Sequence, residues 1–193
     1  MVSEQLSVLL SDIVPDVIKI GMLATDDVLL AVSNVLDAYA IPRVVDPVLR
    51  ASDGTLLLER RAYANLMDRF VNGAALVTPN LDEAEVLTGH ADPESAAAVF
   101  LDAGAEAALI KGGHADGPPD DLLVTRESSQ WLRGSRVEGI QAHGTGCALS
   151  SAIAAELARG ADLKSAVESA KAFIQKAIRG AVALGKGQAL LEI

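Results

Sequence analysis

Along residues 1–14, apolar side chains at Leu6, Leu9, Leu10 and Ile13 recur at the i, i+3, i+4, i+7 spacing of an amphipathic helix, which Pro15 ends. Residues 17–23 follow as a mostly apolar run of strand length. Thr25 then stands as N-cap, with Asp26 and Asp27 in the first turn of a helix expected to run to about Tyr39. The next short strand, residues 43–47, is stopped by Pro47 and carries Asp46 at its C-terminal end. A helix over about 59–70 leads to a strand over 74–78, again closed by a proline, Pro79. Asn80-Leu81-Asp82-Glu83 opens a helix, and Asp92-Pro93-Glu94 opens another that runs to Gly104. Residues 107–111 form a strand that breaks at Gly112-Gly113-His114. Three short segments, 122–125, 130–132 and 136–140, are separated by turn residues and predict a small antiparallel section. Helices over about 147–159, with Gly160 at its C-cap, and 162–179 complete the pattern.

This alternation of strand and helix predicts an α/β fold with a mainly parallel central sheet covered on both faces. In such sheets ligands bind at the carboxyl ends of the strands, where the connections diverge. Asp46, Asn80, Lys111 and the glycine turn before Cys147 all fall at strand ends or strand-to-helix turns.

Composition narrows the possibilities. With 193 residues, half of them hydrophobic, the chain is expected to form one domain, 1–193, with a sizeable core. Aromatics make up only 3%, so that core must be aliphatic and alanine-rich. A formal charge of −10 argues against a nucleic-acid or anionic-membrane surface, since both need a basic face. Any phosphate site must therefore be local. One cysteine rules out a disulfide framework, and there is no signal-peptide pattern or spanning apolar run, so a cytoplasmic protein is expected.

The candidate chemistry centres on His143-Gly144-Thr145-Gly146-Cys147, a glycine turn running into a helix. Unpaired N–H groups at a helix start, with the helix dipole, favour an anion. Glycine at 144 and 146 permits positive φ and close approach. Cys147 sits where a thiol is expected to ionise more easily than free cysteine. Phosphoryl transfer needs phosphate neutralisation, an organised metal and a proton acceptor. Cys147 as thiolate offers the acceptor, with N–H groups from Gly144, Thr145, Gly146 and Cys147 holding developing charge. Lys111 offers a mobile charge for a nucleotide phosphate, and Asn80 with Glu83 offers a water-mediated Mg²⁺ site. Plainer readings stand beside these. Asn80 with Glu83 fits a capping box, Lys111 a solvated strand-end lysine, Asp46-Pro47 a turn, Met22 a core residue, and Cys147 a buried cysteine at a helix start. His114 and His143 are read as polar turn residues.

Five segments in order, Lys19-Ile20-Gly21-Met22-Leu23-Ala24, Val45-Asp46-Pro47-Val48, Thr78-Pro79-Asn80-Leu81-Asp82-Glu83-Ala84, Ile110-Lys111-Gly112-Gly113-His114 and His143-Gly144-Thr145-Gly146-Cys147, resemble the signatures of hydroxymethylpyrimidine/phosphomethylpyrimidine kinase. That family belongs to the ribokinase-like superfamily and acts in thiamine biosynthesis. The resemblance implies a ribokinase-like three-layer sandwich that uses ATP and Mg²⁺ on a small pyrimidine substrate. It implies Cys147 as base, where most of the superfamily has aspartate, and Gly144 to Gly146 as the anion hole. Lys111, with Asn80, Gly112 and Gly113, falls on the nucleotide side. Glu83 and Asp46 fall near the metal, and Gly21, Met22 and Val48 line the pyrimidine pocket. Pyridoxal kinases that share the cysteine turn are the nearest enzymatic alternative, and an inactive nucleotide-binding or oligomerising remnant is another.

The family's opening strand and Gly/Asp-rich loop have no counterpart before Val17, and Gly185-Lys186-Gly187-Gln188 only loosely matches its closing motif. The fold is therefore expected to be N-terminally truncated, without most polar contacts to the pyrimidine. The strand over 17–23 would then lack a neighbour, and its apolar edge predicts a homo-oligomer.

Overall fold

The computed structural model describes residues 1–113, 118–137, 144–184, 187 and 189–192. A six-stranded sheet runs in sequence order, β1 (Ile18–Ile20), β2 (Arg43–Val45), β3 (Leu76–Val77), β4 (Ala107–Ile110), β5 (Asp121–Thr125) and β6 (Ser129–Leu132). β1 to β4 are parallel, and two antiparallel pairings, β4 with β5 and β5 with β6, extend the sheet. The sheet is thus mainly parallel with an antiparallel margin, as the alternation of elements predicts.

Alternation of side chains across the strands divides the core in two. Ile20, Val45, Val77, Ala108, Ile110 and Leu122 point to one face. That face is covered by α1 (Val2–Asp12), α2 (Asp26–Leu36), α3 (Tyr63–Leu66), α4 (Leu81–Thr88) and α5 (Pro93–Asp102). Val44, Leu76, Ala107, Leu109 and Leu123 point to the other, under α6 (Thr145–Ala158) and α7 (Leu163–Arg179). Three of the helices, α2, α5 and α7, start where short polar side chains accept orphan N–H groups: Thr25 from Val28, Asp92 from Ser95 and Asp162 from Ser165. Among the described residues, no helix is long and apolar enough to cross a membrane.

Several boundaries depart from expectation. α2 stops at Leu36 rather than Tyr39, and β1 covers only Ile18–Ile20. The expected helix over 59–70 is a 3₁₀ turn (Arg60–Ala62), one α turn and a π-helical turn (Met67–Val71) in succession. The wider turn closes when Asn72 N–H donates to the Met67 carbonyl, and it buries Phe70 and Val71 completely. No strand forms at Arg136 or Val137, and the rest of the strand expected over 136–140 lies outside the described residues, as do His114, His143 and most of 185–188.

Candidate active site

The parity that builds the core also builds the site. Lys19, Asp46, Thr78 and Lys111 lie on the sheet face of Val44, Leu76 and Leu109, and the last three stand just beyond the ends of their strands. That face is the one α6 covers, so the four side chains converge beneath the first turns of α6. Asp46 is at the centre, 2% exposed. One carboxylate oxygen accepts from Lys111 Nζ at 2.8 Å and Thr78 Oγ1 at 3.3 Å. The other accepts from Ser150 Oγ at 3.1 Å and lies 3.8 Å from Lys19 Nζ. Burial by itself would push the Asp46 carboxyl up, but Lys111, Lys19 and Ser150 together hold it below the ordinary aspartate value. Lys111 is likewise penalised by burial, yet Asp46 and Glu83 raise it above the ordinary lysine value. Both groups are therefore charged at neutral pH.

The ammonium of Lys111 also touches the glycine turn. A Cβ built on Gly146 would fall 3.1 Å from Lys111 Nζ, so glycine here admits the lysine to the first turn of α6. The two turn glycines thus serve different ends. Gly144 takes φ +80° as N-cap in open space, whereas Gly146 is already helical and serves close approach. Thr145 starts the helix and is partly buried.

Cys147 lies on this first turn and is exposed, but its thiol behaves differently from the expectation of easy ionisation. Partial desolvation and then the Asp46 carboxylate push it above the ordinary cysteine value, and Lys19 and Lys111 pull it back only in part. The resting thiol is therefore protonated at neutral pH.

Asn80 and Glu83 form the capping box. Asn80 Oδ1 accepts from Glu83 N–H at 2.8 Å, and Glu83 Oε2 accepts from Asn80 N–H at 2.9 Å. Asn80 pairs in parallel with Lys111 across the strand ends, which places the box beside the lysine. Glu83 is 7% exposed, and burial pushes its carboxyl up despite Lys111 nearby. Among the described residues, no three His, Cys, Asp or Glu side chains cluster as a dedicated metal cage. Asp46 is fully partnered, and Glu83, whose carboxylate also accepts from the Leu49 backbone beside Asn80, is the less committed of the two candidate metal carboxylates.

The remaining sequence candidates are less closely joined. The Gly112 N–H is already committed to Asp121 Oδ1 at 2.9 Å, and a Cβ there would collide with the Asp120 carbonyl. Gly113 is exposed with open space around it. Gly21 lies under the Lys19 ammonium, Met22 is exposed and Val48 is half-buried. Ala24, ending the segment, holds φ 62°, a left-handed conformation that costs alanine about 1 kcal/mol. It is fixed by Glu59 N–H donating to its carbonyl and by Thr25 N–H donating to Leu23. Ala24→Gly is expected to raise Tm by about 2–4 °C in thermal unfolding, the shift that about 1 kcal/mol gives a chain of this size.

Sequence reasoning gave no role to Lys19, Thr78 or Ser150. For the first two the signal was available, because they share strand parity with Asp46 and Lys111. For Ser150 the signal was its position one helical turn after Cys147.

Comparison with known proteins decides the lineage. The family model for phosphomethylpyrimidine kinase matches residues 1–192. The chain belongs to the phosphomethylpyrimidine kinase family. It is 36% identical to the hydroxymethylpyrimidine/phosphomethylpyrimidine kinase of Synechococcus elongatus over 97% of this chain and 74% of that protein. The crystal structure of phosphomethylpyrimidine kinase from Clostridium difficile superposes with a TM-score of 0.79 at 32% identity, covering 91% of this chain and 74% of that one. Pyridoxal kinase from Staphylococcus aureus, in complex with ADP, gives a TM-score of 0.88 at 31% identity over 98% of this chain and 71% of that one. The fold is therefore ribokinase-like, and this member of the phosphomethylpyrimidine kinase family is a phosphotransferase.

Proposed function

We propose that this chain transfers the γ-phosphoryl group of ATP to hydroxymethylpyrimidine, to its monophosphate, or to both, as a cytoplasmic step of thiamine biosynthesis. The observation that carries this reading is the seating of Lys111 Nζ against Gly146 and Asp46, which joins a fixed cation to the N–H groups of a helix start. Lys111 neutralises the nucleotide phosphates, while the N–H groups of Gly144 to Cys147 hold charge on the transferring group. Cys147 takes the proton of the attacking hydroxyl. Asp46 keeps Lys111 charged and aimed, and Lys19 supplies a second cation on the same carboxylate. Gly21, Met22 and Val48 line the pyrimidine side.

A Mg²⁺ ion arriving with ATP would be held through water by Glu83, with Asp46 as the second carboxylate. A donor set of so few carboxylates fits a metal that keeps most of its waters, and the ion would supply charge neutralisation on the phosphates. Glu83→Gln retains the capping acceptor and relieves a buried charge, so its Tm should lie within about 2 °C of wild type or above it. Its Mg²⁺ requirement for half-maximal turnover should rise about tenfold. An unchanged Mg²⁺ titration would remove Glu83 from the metal.

The deciding assay follows ATP-dependent phosphorylation of hydroxymethylpyrimidine, its monophosphate and pyridoxal side by side. Turnover of either pyrimidine above pyridoxal supports the proposal. The close superposition on pyridoxal kinase favours a second reading, and preference for pyridoxal would establish it.

A further inference from the structure

One buried ion pair lies outside the arrangement just described. Lys171, in the middle of α7, donates to Asp121 at the start of β5 and to the Pro119 carbonyl at 3.2 Å. The two charged side chains are 13% and 7% exposed. The second carboxylate oxygen of Asp121 accepts from Gly112 N–H, so one carboxylate links α7 to the main chain immediately after Lys111. The same stretch is held sterically. A Cβ on Gly112 would collide with the Asp120 carbonyl, and a Cβ on Gly134 with the Pro119 carbonyl. Asp120 Oδ1 accepts from Gly134 N–H at 2.8 Å, so residues 119–121 lie clasped between two glycine backbones.

We infer that Lys171 is a positioning residue for nucleotide binding, acting through Asp121 on the main chain that carries Lys111. The inference rests on the reading of Lys111 as the nucleotide-phosphate contact. A lysine has a flexible four-carbon stem, so its aim depends on how firmly its backbone is fixed. β4 ends at Ile110, and Lys111 itself is tied by its N–H to the Pro79 carbonyl at 2.8 Å. On its other side the tie is the Gly112 bond to Asp121. A well-packed apolar pair would hold α7 against β5 at least as well as a buried ion pair does. What only the carboxylate adds is an acceptor for Gly112 N–H, and what Lys171 adds is a cation that fixes the orientation of that acceptor. A base ordered before ATP arrives reduces the ordering cost of binding.

The chain's single tryptophan, Trp131, lines a cavity of about 230 Å³ together with Gly112, Pro118 and Asp120, and gives a built-in reporter. Binding of ATP with Mg²⁺ is to be measured by calorimetry, with Trp131 emission as a second signal, on wild type, Lys171→Met, the double variant Asp121→Asn/Lys171→Met, and Lys111→Ala. Lys171→Met should weaken ATP binding about tenfold, or about 1.4 kcal/mol. The double variant removes both charges yet leaves an amide oxygen for Gly112, and it should still bind at least about fivefold more weakly than wild type. It decides the matter if Lys171→Met does not fold. Wild-type affinity in either folded variant, with only a lower Tm, makes the pair merely structural and overturns the inference. If Lys111→Ala also binds like wild type, the reading of Lys111 fails. If only the Lys171 variants do, that reading stands and the positioning role falls.

Discussion

Cys147→Ala is expected to lower turnover of the pyrimidine substrate by about 10²–10⁴-fold, the range a positioned general base contributes, with little change in stability because the residue is exposed. The pH profile should identify the cause. A base acts only when deprotonated, and the Cys147 thiol is held above the ordinary cysteine value by desolvation and by Asp46. The rate at limiting substrate should therefore rise with pH through the alkaline range in wild type, and this rise should vanish in Cys147→Ala. Cys147→Asp places a group of much lower pKa at the same point. It should retain more activity than the alanine variant and carry its activity to lower pH. Equal turnover by wild type and Cys147→Ala would remove Cys147 from the mechanism.

Asp46→Asn should have the largest effect on the fold. The substitution leaves the ammonium of Lys111, 12% exposed, without its principal counter-charge, and breaking a buried pair in this way costs about 3–5 kcal/mol. Denaturant unfolding as a function of pH tests the assignment. Asp46 is held below its ordinary value, so its contribution is complete above about pH 4 and is lost as pH falls through its lowered pKa. Lys111 is held above its ordinary value, so its contribution is complete below about pH 10 and is lost as pH rises through its raised pKa. The deficit of Asp46→Asn should therefore be constant across the neutral range and shrink toward both extremes. Glu83 works the other way, since its raised pKa subtracts stability as pH climbs past about 4. A deficit below about 1 kcal/mol at neutral pH would mean that solvent reaches the pair and that Asp46 does not hold Lys111.

Much of the fold could be read from local pattern. The helix starts at Thr25, Asn80, Asp92 and Asp162 carry their own chemistry, and the strands over Val44–Leu76–Leu109 alternate visibly between two cores. Strand parity even places Asp46 and Lys111 on one face. What local pattern does not carry is the effect of one element on another. Cys147 looked acidic from its helix position, but partial burial in the folded chain, and then a carboxylate 101 positions away in sequence, raise its proton affinity. Gly112 looked like a phosphate-binding glycine, yet the Asp120 carbonyl accounts for its lack of a side chain and Asp121 already holds its N–H. The helix over 59–70 has ordinary helical spacing, and only packing of Phe70 and Val71 against the core reveals why its last turn widens.

Asp46 is held by side chains from four other segments: Lys19 of β1, Thr78 after β3, Lys111 after β4 and Ser150 of α6. That sharing bears on how such a protein can diverge. Loss of any single donor leaves the others still gripping the same carboxylate, so each can drift in small steps that the rest tolerate. The aspartate has no such latitude, because its replacement strands two ammonium groups at once. Variation among descendants of this sequence should accordingly collect at the donors and spare position 46.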